Sequence, residues 1–232
     1  MSSVAIITAR GGSKRIPRKN IKPFLGKPII AYSIQSALAS NLFEEVMVST
    51  DDKEIKTIAE QYGAVVPFMR SAENANDYAT TVDTLLEVIN SYKSQNKYFD
   101  YGCCIYPTAP FVKPSLLQKA YSKLIQEKLD TVFPVLPFSF PIQRALKINK
   151  TNRIEMFQPQ FLTTRSQDLE PAFHDSGQFY WFHTKKLLTE KKLWTDNTGV
   201  VPLSELEAHD IDTIADWKVA EFKYKIMLQD AI

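Results

Sequence analysis

The sequence predicts an α/β protein with a doubly wound, mostly parallel sheet. Short apolar, β-prone runs alternate along the chain with longer stretches in which apolar residues recur at helical spacing. Strands that alternate with helices in this way form βαβ units, whose strands run parallel. The chain has 232 residues, of which 44% are hydrophobic and 23% are charged, so one such domain with a buried core accounts for its length.

The predicted elements follow one another in a regular order. The strands are expected over residues 4–8, 45–50, 64–68, 102–106, 131–136 and 178–182. The helices are expected over residues 28–38, 51–63, 81–92, 115–127 and 213–228. Pro28, Asp51 and Asp52 are residue types that begin helices, and Gly63 is the type that ends one. The side chains expected to face the core from the last helix are Ile214, Trp217, Ala220, Tyr224 and Met227.

The regular order stops between residues 137 and about 173. This stretch contains prolines and is too irregular for another βα unit. We interpret it as an insertion within a single domain that spans residues 1–232.

Composition and cysteine spacing exclude several classes of protein. Cys103 and Cys104 are adjacent in an apolar run, which fits neither a disulfide framework nor a zinc site, so we expect reduced thiols in the core. The N-terminus has no signal-peptide pattern, and no window approaches the about 20 apolar residues of a membrane span. We therefore expect a cytoplasmic protein with no membrane partner. A net charge of +2 does not predict nucleic-acid binding.

The distribution of charge predicts an anionic ligand near the N-terminus. No acidic residue precedes Glu44. The basic residues before it are Arg10, Lys14, Arg15, Arg18, Lys19, Lys22 and Lys27. An uncompensated basic segment of this kind attracts phosphate or carboxylate groups.

The run ARGGSKRIPRKN, residues 9–20, directly follows the first strand. Gly11 and Gly12 let the backbone approach a ligand closely, and the basic side chains can neutralise phosphate charge. Open α/β sheets bind ligands at this end of their strands. The patterns of P-loop kinases and of ordinary dehydrogenases are absent. The run therefore predicts a triphosphate site of another kind, with a merely solvated basic loop as the alternative.

A second motif, HDID, contains Asp210 and Asp212. In extended backbone, residues two apart project to the same face, so both carboxylates can hold one or two small hard cations, and Mg²⁺ fits this donor set. Thr213 and Asp216 form a helix-capping pattern directly afterwards. Capping and metal binding are therefore equal alternatives for the acidity of this segment.

A third group of polar residues follows the insertion. Arg165 can bind a carboxylate with two parallel hydrogen bonds, and the segment FHDSGQ contains His174, Asp175 and Gln178. Taken alone, these residues and Tyr106 are explained better by ordinary loop polarity than by a binding site.

The run ARGGSKRIPRKN, continued as IKPFLGKPIIAYSI, resembles the nucleotide-binding signature of the CMP-sialic acid synthetase family, the acylneuraminate cytidylyltransferases. Further blocks resemble that family in the same order: VSTDD, RSAENANDYATT, YPTAPF, Arg165, and IDTIAD after Asp210. The resemblance covers nearly the whole chain. It implies a Rossmann-like, nucleotide-diphospho-sugar transferase-like fold, Mg²⁺ as cofactor and a homodimer, in which residues 137–173 form a dimerisation arm that reaches toward the partner's active site.

The resemblance also implies roles for individual residues. Those implied to bind the nucleotide are Arg10, Gly11, Gly12, Ser13, Lys14, Lys19 and Asn20, with Arg70, Ala79 and Thr81 around the cytosine. Those implied to be catalytic are Lys19, Asp210 and Asp212, of which the two aspartates hold Mg²⁺. Those implied to bind the sugar are Tyr106, Arg165, His174, Asp175 and Gln178, with Arg165 facing the sugar carboxylate.

Two departures from the family pattern bear on the sugar. Tyr106 stands where the family block usually has glutamine, and the string FHDSGQFYW is similar to that of pseudaminic acid cytidylyltransferases. The resemblance thus implies that CTP and a nine-carbon 2-keto acidic sugar, in the first place pseudaminic acid, give a CMP-sugar and pyrophosphate. The alternatives are an N-acetylneuraminate, legionaminate or 3-deoxy-manno-octulosonate cytidylyltransferase and, from another class, a non-catalytic nucleotide-binding module.

Overall fold

A seven-stranded sheet forms the centre of the computed structural model, which describes residues 1–229. The strands are β1 (Ser3–Thr8), β2 (Pro23–Phe24), β3 (Lys27–Pro28), β4 (Glu45–Ser49), β5 (Tyr101–Ile105), β6 (Thr131–Pro137), β7 (Leu146–Ile148), β8 (Ile154–Met156), β9 (Phe173–Asp175), β10 (Phe179–His183) and β11 (Thr198–Pro202). The helices are α1 (Ile30–Ala39), α2 (Lys53–Gln61), α3 (Thr81–Ser94), α4 (Pro114–Gln126), α5 (Thr184–Glu190) and α6 (Ile214–Gln229). Residues 230–232, at the end of the predicted domain, lie outside the described part of the chain.

The sheet is mostly parallel. Its strands lie in the order β11, β6, β10, β5, β1, β4, and all of these share one direction except β10, which runs antiparallel between β5 and β6. Strand β9 also pairs antiparallel with β6. The predicted α/β fold is therefore confirmed. The strand predicted at residues 178–182 does rejoin the sheet, where it separates two parallel strands.

Both faces of β1 are buried, which explains its continuous apolar sequence. Ile7 belongs to the cluster that packs against α1, α2 and α4, whereas Ile6 faces the opposite way, toward α3 and α5. Cys103 and Cys104 divide between these two clusters in the same manner, because neighbouring strand residues point to opposite faces. Both thiols are free and fully buried, as predicted.

The strand predicted over residues 64–68 does not form. Val65 makes a single parallel bridge to Met47. Its N–H donates to the carbonyl of Val46, and its carbonyl accepts the N–H of Val48, each at 2.9 Å. Pro67 has no N–H and therefore cannot extend the ladder.

The first helix begins later than predicted, at Ile30 instead of Pro28. Pro28 pairs instead with Pro23 in the short hairpin β2–β3. Leu25 and Gly26 form its turn, and both have positive φ angles, 46° and 93°. This is the backbone shape of a two-residue hairpin turn, which glycine favours.

The residues predicted to begin and end the second helix do lie at the ends of α2. Asp52 caps α2 by accepting hydrogen bonds from two backbone N–H groups of its first turn, and Gly63 follows the end of that helix with a φ of 93°. In α6, Trp217 and Ala220 are buried, and Tyr224 and Met227 pack beside them. Ile214, which was also expected to face inward, is 48% exposed. Helix α5 and strands β9 and β11 were not predicted.

The inserted segment leaves the sheet at one end of β6 and returns directly beside it. Pro137 is paired with Phe173, and Leu136 with His174. Between these positions lie the small hairpin β7–β8 and several single 3₁₀ turns. The segment is thus irregular, as predicted, but it contains one element of regular pairing. No helix within residues 1–229 is long and apolar enough to cross a membrane.

Candidate active site

A cleft of about 480 Å³ opens at the carboxyl ends of β1 and β5. Its lining residues come from the loop after β1, the segment before α3, the turn after β5, and the segment before α6. They are Thr8, Arg10, Ser13, Lys14, Arg15, Lys19, Asn20, Asp77, Tyr106, Pro107, Thr108, Asp210 and Asp212. The cleft therefore brings the basic loop and the aspartate pair together, although about 200 residues separate them in sequence.

The basic loop, residues 9–20, is held against the start of α2. Gly11 donates its N–H to Asp51 Oδ1 at 2.9 Å. A Cβ at Gly11 would lie 2.8 Å from Asp52 Oδ2, so this close approach requires glycine, whereas a Cβ at Gly12 would meet nothing within 4 Å. Asn20 Nδ2 closes the loop by donating to the carbonyl of Arg10 at 2.9 Å.

One cation of the loop has a structural partner instead of facing the cleft. The two Nη atoms of Arg18 bind the two carboxylate oxygens of Asp52 at 2.5 and 3.1 Å, and Arg18 also contacts Glu54. The hydrogen bond from Arg18 is the main cause that lowers the pKa of Asp52 to about 2. This two-point ion pair anchors the loop to α2, a role that sequence reasoning did not separate from ligand binding.

Two other cations of the loop share one carboxylate at the mouth of the cleft. Asp77 Oδ1 accepts a hydrogen bond from Arg10 Nη1 at 2.8 Å, and Asp77 Oδ2 contacts Lys14 Nζ. The same Nη1 of Arg10 donates to the carbonyl of Asn76 at 3.0 Å. These contacts join the loop to the segment before α3.

Asp212 pairs with the remaining two cations. Arg15 Nη1 lies 2.5 Å from Asp212 Oδ2, and Lys19 Nζ lies 3.6 Å from Asp212 Oδ1 while donating to the carbonyl of Ile211 at 2.7 Å. Thr213 and Asp216, not Asp212, cap α6: Thr213 Oγ1 accepts the N–H of Asp216 at 3.2 Å, and the Asp216 carboxylate accepts the N–H of Thr213 at 2.7 Å and that of Asp212 at 3.1 Å. The cap thus forms without the carboxylates of Asp210 and Asp212, which line the cleft.

The donor chemistry of Asp210 and Asp212 fits a hard divalent cation. Asp210 lines the cleft, and the protein around it partly removes its carboxylate from water. This desolvation is the main cause that raises the pKa of Asp210, and the negative charge of Asp212 is the second. A cation between the carboxylates would offset both effects. Within residues 1–229, no three His, Cys, Asp or Glu side chains are arranged around a metal position. Mg²⁺ there would complete its coordination with water and phosphate oxygens, as it commonly does.

The residues predicted to surround the cytosine lie beside the cleft but do not line it. Arg70 is only 8% exposed, and it donates to the Oγ and carbonyl oxygen of Ser49 at 3.0 and 2.6 Å. The N–H of Ala79 is engaged by Asn76 Oδ1 at 3.0 Å. Thr81 Oγ1 lies 3.3 Å from the hydroxyl of Tyr106, which does line the cleft.

The predicted sugar residues are dispersed. Asp175 accepts hydrogen bonds from the Tyr180 hydroxyl and from the N–H of Gly177, and the buried Gln178 donates to the carbonyl of Glu207 at 2.6 Å. These bonds stabilise the turn before β10. Arg165 lies on the inserted segment, paired with Asp168 at 2.8 Å, and does not line the cleft of its own chain.

A second, smaller cavity of about 240 Å³ adjoins the cleft. Asp210 lines both, and the cavity is also lined by His174, His209 and Lys223. Burial is the main cause that lowers the pKa of His209, whose Nε2 is buried without a hydrogen-bond partner. Sequence reasoning placed His174 among the sugar residues but missed His209 and Lys223, which carried no signal apart from their neighbours.

Arg15, Thr108 and Asp77 are further cleft residues that were not predicted. Arg15 and Asp77 lie inside the quoted blocks ARGGSKRIPRKN and RSAENANDYATT, and Thr108 lies inside YPTAPF. The blocks therefore marked the right segments without indicating which of their side chains turn toward the cleft.

Comparison with known proteins agrees with this arrangement. A family model described as cytidylyltransferase matches residues 4–208. The chain belongs to the cytidylyltransferase family. Among curated relatives of this cytidylyltransferase, the pseudaminic acid cytidylyltransferase of Campylobacter jejuni is 43% identical over 231 residues, covering 100% of both chains. The CMP-N,N'-diacetyllegionaminic acid synthase of Legionella pneumophila is 33% identical over 228 residues, covering 95% of each.

A solved structure supports the fold. The structure of CMP:2-keto-3-deoxy-manno-octonic acid synthetase complexed with CTP superposes with a TM-score of 0.73, covering 99% of this chain and 100% of the other. The sequence identity is 18%, so this likeness concerns the fold alone.

The anchor between Arg18 and Asp52 predicts a pH-dependent contribution to stability. The variant Asp52→Asn keeps a capping side chain but loses the ion pair, so we expect the free energy of unfolding to fall by about 1 kcal/mol at pH 7. Because the pKa of Asp52 is lowered to about 2 in the folded protein, the difference should persist at pH 5 and shrink as the pH falls from about 4 toward 2.

Urea unfolding of both proteins at pH 7, 5 and 3 measures this difference. Glu60→Gln, on the same helix, removes an exposed carboxylate 3.8 Å from Lys56 and serves as the control, with little expected change. A difference between wild type and Asp52→Asn that stays constant down to pH 3 would contradict the assignment.

Proposed function

We propose that this cytidylyltransferase transfers CMP from CTP to a nine-carbon 2-keto acidic sugar, with pseudaminic acid as the sugar. The observation that carries the proposal is the single cleft in which the basic loop faces Asp210 and Asp212. The full-length identity of 43% to a pseudaminic acid cytidylyltransferase supports the choice of sugar.

The chemistry requires two anionic substrates to meet. The anomeric hydroxyl of the sugar attacks the α-phosphorus of CTP, and pyrophosphate leaves with the electron pair of the cleaved P–O bond. Arg10, Lys14 and Lys19 line the cleft, and in this proposal they neutralise the phosphate chain and the charge that builds on the departing pyrophosphate. Lys19 is held between the Ile211 carbonyl and Asp212, so its ammonium is fixed before substrate binds.

Asp210 and Asp212 are the residues that would hold Mg²⁺. When bound, such an ion screens the negative charges of the two substrates and lowers the pKa of a coordinated hydroxyl. The chain's own share is to bring both carboxylates to the cleft wall, which the separate capping of α6 by Asp216 permits. Tyr106 lines the cleft, and the adjoining cavity, which shares Asp210 with it, offers His174 as a further polar group for the sugar.

A parallel assay of sugar acceptors tests the proposal. Pyrophosphate release from CTP should be fastest with pseudaminic acid, and slower with legionaminic, N-acetylneuraminic and 3-deoxy-manno-octulosonic acids. A clear preference for one of the latter would replace the proposed sugar. Binding of CTP without pyrophosphate release from any sugar would support the non-catalytic alternative.

The metal assignment makes a separate prediction. Asp212→Asn should lower kcat by on the order of 100-fold or more with a nearly unchanged melting temperature, because the side chain is partly exposed and only its charge is removed. The measurement is pyrophosphate release across a Mg²⁺ titration, with Asp196→Asn, an exposed carboxylate outside the cleft, as the control. Turnover at the wild-type level in Asp212→Asn would refute the assignment.

We propose further that the protein is a homodimer joined through the inserted segment. The hairpin β7–β8 has one apolar face, because Leu146 pairs with Met156 and Ile148 with Ile154. Ile148 and Ile154 are 73% and 70% exposed in the single chain. Beside this face an apolar cavity of about 840 Å³ is lined by residues that include Phe138 and Phe140. Exposed apolar surface of this extent is typical of a protein interface.

The interface can be tested on the two faces of the hairpin. Ile148→Asp places a charge on the apolar face and should convert the dimer to monomer, as measured by sedimentation equilibrium. Lys147→Gln changes the opposite face, where Lys147 pairs with Glu155 at 3.4 Å, and should leave the dimer intact. A monomeric wild-type protein, or a dimer that Ile148→Asp does not weaken, would contradict the proposal.

A further inference from the structure

The cations that line the cleft are already neutralised by the protein itself. Asp212 pairs with Arg15 and Lys19, and Asp77 pairs with Arg10 and Lys14. Asp212 has a role in the proposed reaction. Asp77 has none, although it lines the same cleft and contacts two residues expected to bind phosphate.

The carboxylate of Asp77 occupies donors that a phosphate group would use. Each of its two oxygens binds a different cation: Oδ1 binds Arg10 Nη1 at 2.8 Å, and Oδ2 binds Lys14 Nζ. Phosphate and carboxylate groups are recognised by the same donors, because both present negative oxygens at similar spacing. A ligand phosphate therefore cannot bind both side chains in full until Asp77 releases them.

We propose that Asp77 competes with the triphosphate of CTP for Arg10 and Lys14, and thereby determines how many phosphate groups a ligand must carry to bind well. The inference rests on the proposed function, in which this cleft binds CTP. The triphosphate chain of CTP brings far more negative charge to these two cations than the one carboxylate of Asp77 does, whereas the single phosphate of CMP exceeds that carboxylate only slightly. Asp77 thus favours CTP over ligands with a shorter phosphate chain.

The surroundings of Asp77 allow its carboxylate to release Arg10 and Lys14. Its two ends are tied to α3, where Glu87 accepts hydrogen bonds from Ser71 and Asn74, and Asp83 accepts them from Thr80. The stretch between these ties is exposed, with Tyr78 94% exposed. Asp77 itself is 40% exposed, so water solvates its carboxylate as soon as the ion pairs break. Release therefore leaves no buried charge behind.

Nucleotide affinity of Asp77→Asn tests the proposal. Asparagine keeps the size of the side chain and removes the competing charge. In EDTA, titration calorimetry should show CTP and inorganic triphosphate binding roughly three- to tenfold more tightly to the variant, because two exposed ion pairs no longer have to be broken. The dissociation constant of CMP should change less. Glu73→Gln removes an exposed carboxylate from the same segment and should leave every constant unchanged, because within residues 1–229 the ion pairs of Arg10 and Lys14 are made with Asp77 and not with Glu73.

The outcomes separate this inference from the proposed function. If the wild-type protein binds neither CTP nor triphosphate, in EDTA or with Mg²⁺, the proposed function fails. If the wild type binds CTP and Asp77→Asn binds it equally well, Asp77 is not a competitor. Weaker binding by the variant, with an unchanged melting temperature, would show that Asp77 positions Arg10 and Lys14 for the ligand, which also overturns the proposal. Equal tightening by Glu73→Gln would assign the effect to general charge instead.

Discussion

Mutual repulsion within the basic loop is the constraint around which the candidate site is organised. Five cations lie between residues 10 and 19 with no acid among them. Like charges so close together would drive the loop apart, and the protein counters this with carboxylates from three distant segments: Asp52, Asp77 and Asp212. The shape of the loop is therefore set from outside it. One carboxylate is a permanent anchor, and the other two face the space where substrates enter.

The sheet brings the basic loop and its anchor together. Strands β1 and β4 are parallel neighbours, so the basic loop after β1 and Asp52 after β4 emerge side by side at the carboxyl ends of these strands. The antiparallel β10 lies next to β5, and the turn before it therefore reaches the same edge. Gly177 in that turn lies against Asp210, with an added Cβ 3.8 Å from its carboxylate. Strand order thus brings together the basic loop, Asp52 and the turn that contacts Asp210.

Much of this could be predicted from the sequence, and the limits have physical causes. Strands buried on both faces have continuous apolar runs, so β1, β4, β5 and β6 were found, and capping signals located α2. The extended run at residues 64–68 has strand-like composition, but Pro67 leaves it without a ladder. Most of the loop residues predicted to bind the nucleotide, and the aspartate pair, line the cleft, whereas Gly11 and Gly12 do not. Arg70, Asp175 and Gln178 instead bond to their neighbours, because side-chain direction depends on contacts that local sequence does not encode.

The inserted segment has a consequence for how the fold can change. Its first and last residues, Pro137 and Phe173, face each other as paired positions on adjacent strands. The pairing of β6 with β9 therefore closes the connection between these two residues, whatever sequence lies between them. Since the entropy of closing a loop grows only slowly with its length, this stretch can be lengthened, shortened or exchanged with little cost to the core. Changes in length or sequence, and grafting of one relative's segment onto another, can therefore occur here while the strand ends that form the cleft are left untouched.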